Sequence, residues 1–134
     1  MSAQRMHERL GWSPSRSGAI LPDYEMVFNK HSNDGGKANI MSSSGNQVEG
    51  IIYSVNEEDM LILDKYEGVA TKQYKRHDIE VQNNKKKSVS ALAYKALNTG
   101  KVSAPTEEYL NYILKGREFL SPGYYTKLKS TETL

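Results

Sequence analysis

With no cysteine anywhere in its 134 residues, this chain has no thiol nucleophile, no disulfide and no cysteine-bound zinc. Acid–base work therefore falls to carboxylates, tyrosines and histidines. The three histidines, His7, His31 and His77, are far apart and lack the i, i+4 spacing of a helical metal site, so no metal ligand set is expected. No Gly-x-Ser-x-Gly elbow occurs, nor does a glycine-rich phosphate loop run from a strand into a helix. No cofactor is expected. The carboxylate best placed to do chemistry is Glu67, in the run Leu63-Asp64-Lys65-Tyr66-Glu67-Gly68-Val69. There an amphipathic helix should end at Gly68, a residue that takes the left-handed conformation cheaply. A side chain on that corner, with a helix behind it and a strand expected ahead, is braced as a general base should be. The plainer reading is a solvated acid near a helix end, which is common and only mildly unfavourable. Asp64 and Glu67, three apart on a helix, could mimic a paired-carboxylate site, but two acids on one short element are more often a solvated edge, because glycosidase acids must flank a substrate from two sides.

The aromatic residues give a second lead. Nine tyrosines accompany 2 phenylalanines and one tryptophan, and a core built of tyrosine tends to border a wet pocket or an interface, because each hydroxyl needs a partner. Tyr74, Tyr109 and Tyr125 each start or line a separate expected element, from which they could converge on one cleft with Glu67. Ordinary amphipathic packing, with the hydroxyls at the surface, is the alternative for each of them.

The elements that must hold these residues are marked by local signals. Ser2 caps a short helix with Met6 and Leu10 on one face and Gly11 as its stop. Ser17 to Leu21 reads as a strand, Pro22-Asp23 as a turn, and Tyr24 to His31 as a second strand. Asn33-Asp34-Gly35-Gly36 is a strong turn signal. Lys37 to Ser42 and Val48 to Val55 read as strands joined by a Ser- and Gly-rich loop through Asn46. Asn56 caps the helix ending near Glu67, and Glu57, Glu58 and Asp59 suit its positive end. Met60, Leu63 and Tyr66 share one of its faces. Tyr74 to Gln82 and Val89 to Leu97 form a pair across Asn83-Asn84. Thr106 caps a helix with a stripe of Tyr109, Leu110, Ile113 and Leu114. Ser121-Pro122 starts another, with Tyr125 and Leu128 as its apolar side. Strands with helices inserted between and after them predict an α+β fold, built on a small, mostly antiparallel β-barrel or sheet.

Composition narrows the class further. The length suits a single domain over 1–134, and Lys+Arg 18 against Asp+Glu 16 is too balanced for a nucleic-acid footprint. Lys85-Lys86-Lys87 reads as a solvated hairpin tip. No apolar run reaches membrane-helix length and no signal-peptide core opens the chain, so a cytoplasmic protein with no membrane partner is expected.

Several short motifs together resemble the γ-glutamylcyclotransferase-like family. They are Tyr24-x-Met-x-Phe, Gly35-Gly36-x-Ala38-x-Ile40, Val48-x-Gly50-Ile51-Ile52-Tyr53, Leu63-Asp64-x-x-Glu67-Gly68-Val69, Tyr74 and the Ala93-Tyr94 strand, in the family's order. The resemblance runs over nearly the whole chain, and the Leu-Asp-x-x-Glu-Gly-Val element is its most specific part. It implies a mixed fold around a barrel with a pocket at one end. It also implies a transferase-type reaction that cyclises a small γ-glutamyl substrate to 5-oxoproline and releases an amino acid or amine. Glu67 matches the family's catalytic glutamate, Tyr109 a substrate-contacting tyrosine, and Tyr74 another residue lining the site.

The departure from the family lies at the start. Members carry a first strand ending in Tyr-Gly-Ser-Asn, whose backbone amides cradle the glutamyl group, and Met1-Ser2-x-x-Arg5-Met6 corresponds to the segment directly after that Asn. The strand and loop are absent from the sequence given. Losing one oriented donor costs a transition state about 2.7–4 kcal/mol in a well-studied case. The expectation is that Met1 is an internal methionine of a longer protein, and that the chain as written is a poor catalyst with an unpaired strand edge inclined toward a homodimer. A non-catalytic ligand-binding or oligomerising module of the same fold is the competing reading.

Overall fold

A computed structural model describes residues 2–134; Met1, on which the reading of a late start depends, lies outside the described residues. The order is α1 (Ala3–Leu10), β1 (Arg16–Ser32), β2 (Gly35–Tyr53), α2 (Glu57–Glu67), β3 (Tyr74–Asn83), β4 (Ser88–Ala96), α3 (Glu107–Leu114), a 3₁₀ turn (Arg117–Phe119) and α4 (Pro122–Lys129). The cap residues read from the sequence do their work. The side chains of Ser2, Asn56, Thr106 and Ser121 accept from the third residue beyond each of them, satisfying amides that a helix start leaves orphaned.

Two expected turns are continuous strand instead. Pro22-Asp23 does not reverse the chain. Asp23 takes φ 62° inside β1, and the pairing with β2 shifts register between Pro22 and Tyr24. This is a bulge, which absorbs the missing proline donor without breaking the ladder. The Asp23 carboxylate accepts from Gly45 N–H at 3.1 Å, so the Ser- and Gly-rich segment is drawn into β2 rather than looping out. The reversal between β1 and β2 is at Asn33-Asp34, as the turn signal predicts. Gly36 lies so close to the Ser103 backbone that a Cβ would collide with it.

The four strands form one antiparallel sheet in the order β2-β1-β3-β4. The architecture is α+β. The barrel is not closed. β1 and β3 share only Ala19↔Asn83 and Ile20↔Gln82, so the two hairpins splay from that junction, and no ladder joins β2 to β4. A side chain bridges the gap: Asn39 Oδ1 accepts from Ala96 N–H at 2.9 Å. The Lys85–Lys87 run is a hairpin tip, where Asn83 Oδ1 accepts from Lys85 N–H (2.9 Å) and Lys87 N–H (3.0 Å).

Met6, Met60 and Leu63 are buried together between α1 and α2, with Leu10, Tyr53, Val55 and Tyr94 packed around them. On α2 the four consecutive apolar residues divide as their helical phase requires, Met60 and Leu63 inward, Leu61 and Ile62 toward solvent. Tyr66 is not buried with them: the residue is 57% exposed. Among the described residues no helix is long and apolar enough to cross a membrane.

Candidate active site

The inner face of the sheet, α1, α2, α3 and α4 enclose a cleft of about 1160 Å³. Glu67 is in its wall, on the last residue of α2. Both ends of that helix are fixed. At its start Asn56 Oδ1 accepts from Asp59 N–H (2.8 Å), Asp59 Oδ2 accepts from Asn56 N–H (3.2 Å), and Trp12 Nε1–H donates to Asp59 Oδ1 (3.0 Å). Near its end Arg76 of β3 forks onto Asp64, Nε to Oδ1 at 3.0 Å and Nη2 to Oδ2 at 2.8 Å. The same guanidinium reaches Glu57 at 2.9 Å. The Tyr94 hydroxyl of β4 donates to Asp64 Oδ1 at 2.7 Å. Paired donors of this kind fix orientation as well as supplying energy. The Arg76 guanidinium holds the Asp64 carboxyl below the usual carboxylate range, and burial, with Asp64 beside it, pushes the Tyr94 hydroxyl up. Gly68 then ends the helix at φ 67°, and Val69 N–H bonds back to the Asp64 carbonyl at 3.0 Å. The strand ahead begins six residues later, at Tyr74.

On this corner Glu67 is mostly covered, and Oε1 meets Arg9 Nη1 of α1 at 3.3 Å. The Arg9 guanidinium also lies 4.9 Å over the Tyr66 ring. Oε2 of Glu67 has no hydrogen-bond partner among the described residues. The carboxylate thus keeps one oxygen for another group while a cation anchors the other.

Two of the three sequence-singled tyrosines meet beside it. The Tyr74 hydroxyl donates to the Ala38 carbonyl at 3.1 Å, and the Tyr109 hydroxyl accepts from Ala38 N–H at 3.0 Å. Both line the cleft and clasp one residue of β2. Burial pushes both hydroxyls up, and Glu67 adds to the effect on each, so both stay protonated at neutral pH. Tyr125 is elsewhere. Its ring lies under the Arg117 guanidinium at 4.7 Å and borders a separate depression with Lys115 and Pro122. Successive helical residues are about 100° apart, so Tyr124 and Tyr125 cannot both face inward. Tyr124, one turn before Leu128, lines the cleft instead.

The sequence reading did not single out Tyr94, Arg5, Arg9 or Lys37, all of which line the same cleft. The i, i+4 spacing of Arg5 and Arg9 was the available signal, since it puts two cations on one face of α1. The histidines are dispersed, His7 on Ser13, His77 on Tyr24 and His31 beside Gly100.

Comparison with known proteins bears on this arrangement. A sequence model of the AIG2-like family matches residues 47–128, more than half of the chain and the part that carries α2, β3, β4 and α3. The γ-glutamylcyclotransferase of Bos taurus is 28% identical over 96% of this chain and 72% of its own length. A solved structure described as a γ-glutamyl cyclotransferase superposes with a TM-score of 0.91 at 26% identity, covering 99% of this chain and 83% of that one. YkqA from Bacillus subtilis superposes with a TM-score of 0.80 at 27% identity, over 88% of this chain and 45% of YkqA.

Proposed function

The chain belongs to the AIG2-like family, and from that premise we propose that it is a γ-glutamylcyclotransferase-like enzyme acting on a small γ-glutamyl compound. The α-amine of the substrate attacks its own γ-carbonyl, the new C–N bond closes 5-oxoproline, and the old amide C–N bond breaks to release an amino acid or amine. No protein nucleophile is required, which accords with a chain that has no cysteine. Glu67 is the group we assign to the protons. It takes one from the attacking ammonium and returns it to the departing nitrogen.

The observation that carries this reading is the state of Glu67, a mostly covered carboxylate in the cleft wall with one oxygen on Arg9 and the other unpartnered among the described residues. Tyr74 and Tyr109 support it as neutral hydroxyls beside that acid, suited to contacting a polar substrate. General acid–base help contributes about 10² to 10⁴-fold, and holding the amine over the carbonyl adds to it. The test is Glu67→Gln, which keeps the size and removes the base. We expect 5-oxoproline release to vanish while the melting temperature stays close to wild type. Near-wild-type turnover in that variant would refute the assignment.

The competing reading, a non-catalytic module that binds a ligand or pairs with a second copy, is favoured by one observation, the gap between β2 and β4 with no ladder across it. In that reading another copy of the chain pairs with the open edge. Light scattering separates them. A concentration-independent monomer that releases 5-oxoproline supports the enzyme, and a stable dimer that releases none supports the module.

A further inference from the structure

Four cations line the cleft, Arg5, Arg9, Arg16 and Lys37, and they differ in what they already hold; Arg16 pairs with Glu118 at 3.7 Å. Arg9 pairs with Glu67 at 3.3 Å, and Lys37 pairs with Asp34 at 3.3 Å. Arg5 has no carboxylate partner among the described residues. Its guanidinium instead lies over the Tyr112 ring, 4.6 Å from the centroid. Lys115 also lies 4.6 Å from that centroid, and its ammonium donates to Gln4 Oε1 at 2.8 Å. The ring is thus held from α1 and from the end of α3 together.

A guanidinium stacked on an aromatic face uses its flat side and keeps its in-plane N–H donors for another group. Arg5 is half-buried and lines the cleft, and a guanidinium fork in such a place is matched to a carboxylate. Its place in the helix gives the spacing. Arg5 and Arg9 are i, i+4 on α1, about 6 Å apart at their Cβ atoms, and Arg9 touches Glu67. In a γ-glutamyl α-amino acid the leaving carboxylate is two bonds from the scissile nitrogen. A proton-handling group at that nitrogen and a cation for that carboxylate must therefore be a few ångströms apart, as one helical turn provides.

Resting on the γ-glutamyl reading above, we propose that Arg5 recognises the carboxylate of the leaving group, so that the site selects γ-glutamyl amino acids over γ-glutamyl amines. Arg5 is a specificity residue in this account; the protons belong to Glu67.

Two compounds that differ by one carboxylate, γ-glutamylglycine and γ-glutamylmethylamine, test it. Each is titrated calorimetrically into wild type, Arg5→Met and Arg5→Lys, with 5-oxoproline measured in parallel. Wild type should bind the glycine compound about 10- to 100-fold more tightly, the range that hydrogen bonds to a charged group supply. Arg5→Met should bring the two within about twofold by weakening the glycine compound alone, and Arg5→Lys should keep part of the preference because it keeps charge without the fork. Equal binding by wild type, or a preference that survives Arg5→Met, overturns the proposal. A residue that only glues α1 to α3 would weaken both compounds alike. If Arg5→Met does not fold, Arg5→Lys decides, an unchanged preference counting against the fork. Binding of neither compound by wild type overturns the γ-glutamyl reading and this inference with it. An Arg5-dependent preference without 5-oxoproline release supports the inference and overturns only the enzyme.

Discussion

The end of α2 and the strand β2 each bring a glutamate to the same cleft, and the two are held in opposite ways. Glu49 of β2 accepts from Ser121 N–H at 2.7 Å through one oxygen and from the Ser121 hydroxyl at 2.8 Å through the other. Both oxygens are committed to starting α4. Glu67 has one oxygen on a guanidinium and one without a partner among the described residues. Equal lining positions therefore do not mean equal chemical availability. A carboxylate saturated by short bonds to a helix start is an anchor, and a carboxylate with a spare oxygen on a clamped corner has room for a proton. The tyrosines repeat the contrast. Tyr109 is locked to backbone inside the cleft, whereas Tyr125 rests against Arg117 outside it.

The largest expected effect breaks the comparison between the glutamates directly. Glu67→Gln should cost about 10² to 10⁴-fold in kcat, the range of general acid–base catalysis. Glu49→Gln should leave kcat within about threefold while lowering the melting temperature, since its loss falls on packing at α4. Steady-state rates and melting curves on both variants read this out, and equal losses of activity would erase the distinction.

Next in size is Tyr109→Phe. It leaves the Ala38 N–H without its acceptor in a largely covered place, which costs about 1–3 kcal/mol, measurable by urea unfolding. The matched Tyr125→Phe should stay within about 0.5 kcal/mol, as surface changes usually do. A Tyr125→Phe loss as large as that of Tyr109→Phe would show that the outer depression matters as much as the cleft.

A smaller effect concerns acid. The folded Asp64 carboxyl is held below its ordinary value by Arg76, so its contribution is complete above the unfolded value, near pH 3.9. It is lost as pH falls through the depressed folded value. Melting temperature should drop on acidification below about pH 4, and Asp64→Asn should start lower at neutral pH and show a shallower drop. An unchanged acid dependence in Asp64→Asn would mean that the Arg76 fork adds little to the seating of α2.

What could be read from the residues is the part governed by short-range physics. Asn56, the acids after it and Gly68 bound α2 within a turn or less of chain, and Ser121-Pro122 does the same for the start of α4. Pro22-Asp23 misleads because its turn propensity is local, while the long pairing of β1 with β2 is not, and the ladder absorbs the pair as a bulge. Barrel closure is set by how few residues β1 and β3 share, a matter of register between distant segments. The i, i+3 spacing pairs Tyr125 with Leu128, but Tyr124 at i, i+4 is the residue that lines the cleft with it, one residue out of phase. Arg76 on Asp64 joins α2 to β3 through side chains, and no spacing in the sequence announces that fork.

The central claim is cyclisation, and product identity tests it most directly. Incubating the chain with γ-glutamylglycine and resolving the products by mass spectrometry should give 5-oxoproline and glycine in equal amounts, with release suppressed in Glu67→Gln. Free glutamate in place of 5-oxoproline, or equal release by Glu67→Gln, would contradict the account, because the attacking group would then be water or the proton carrier another residue.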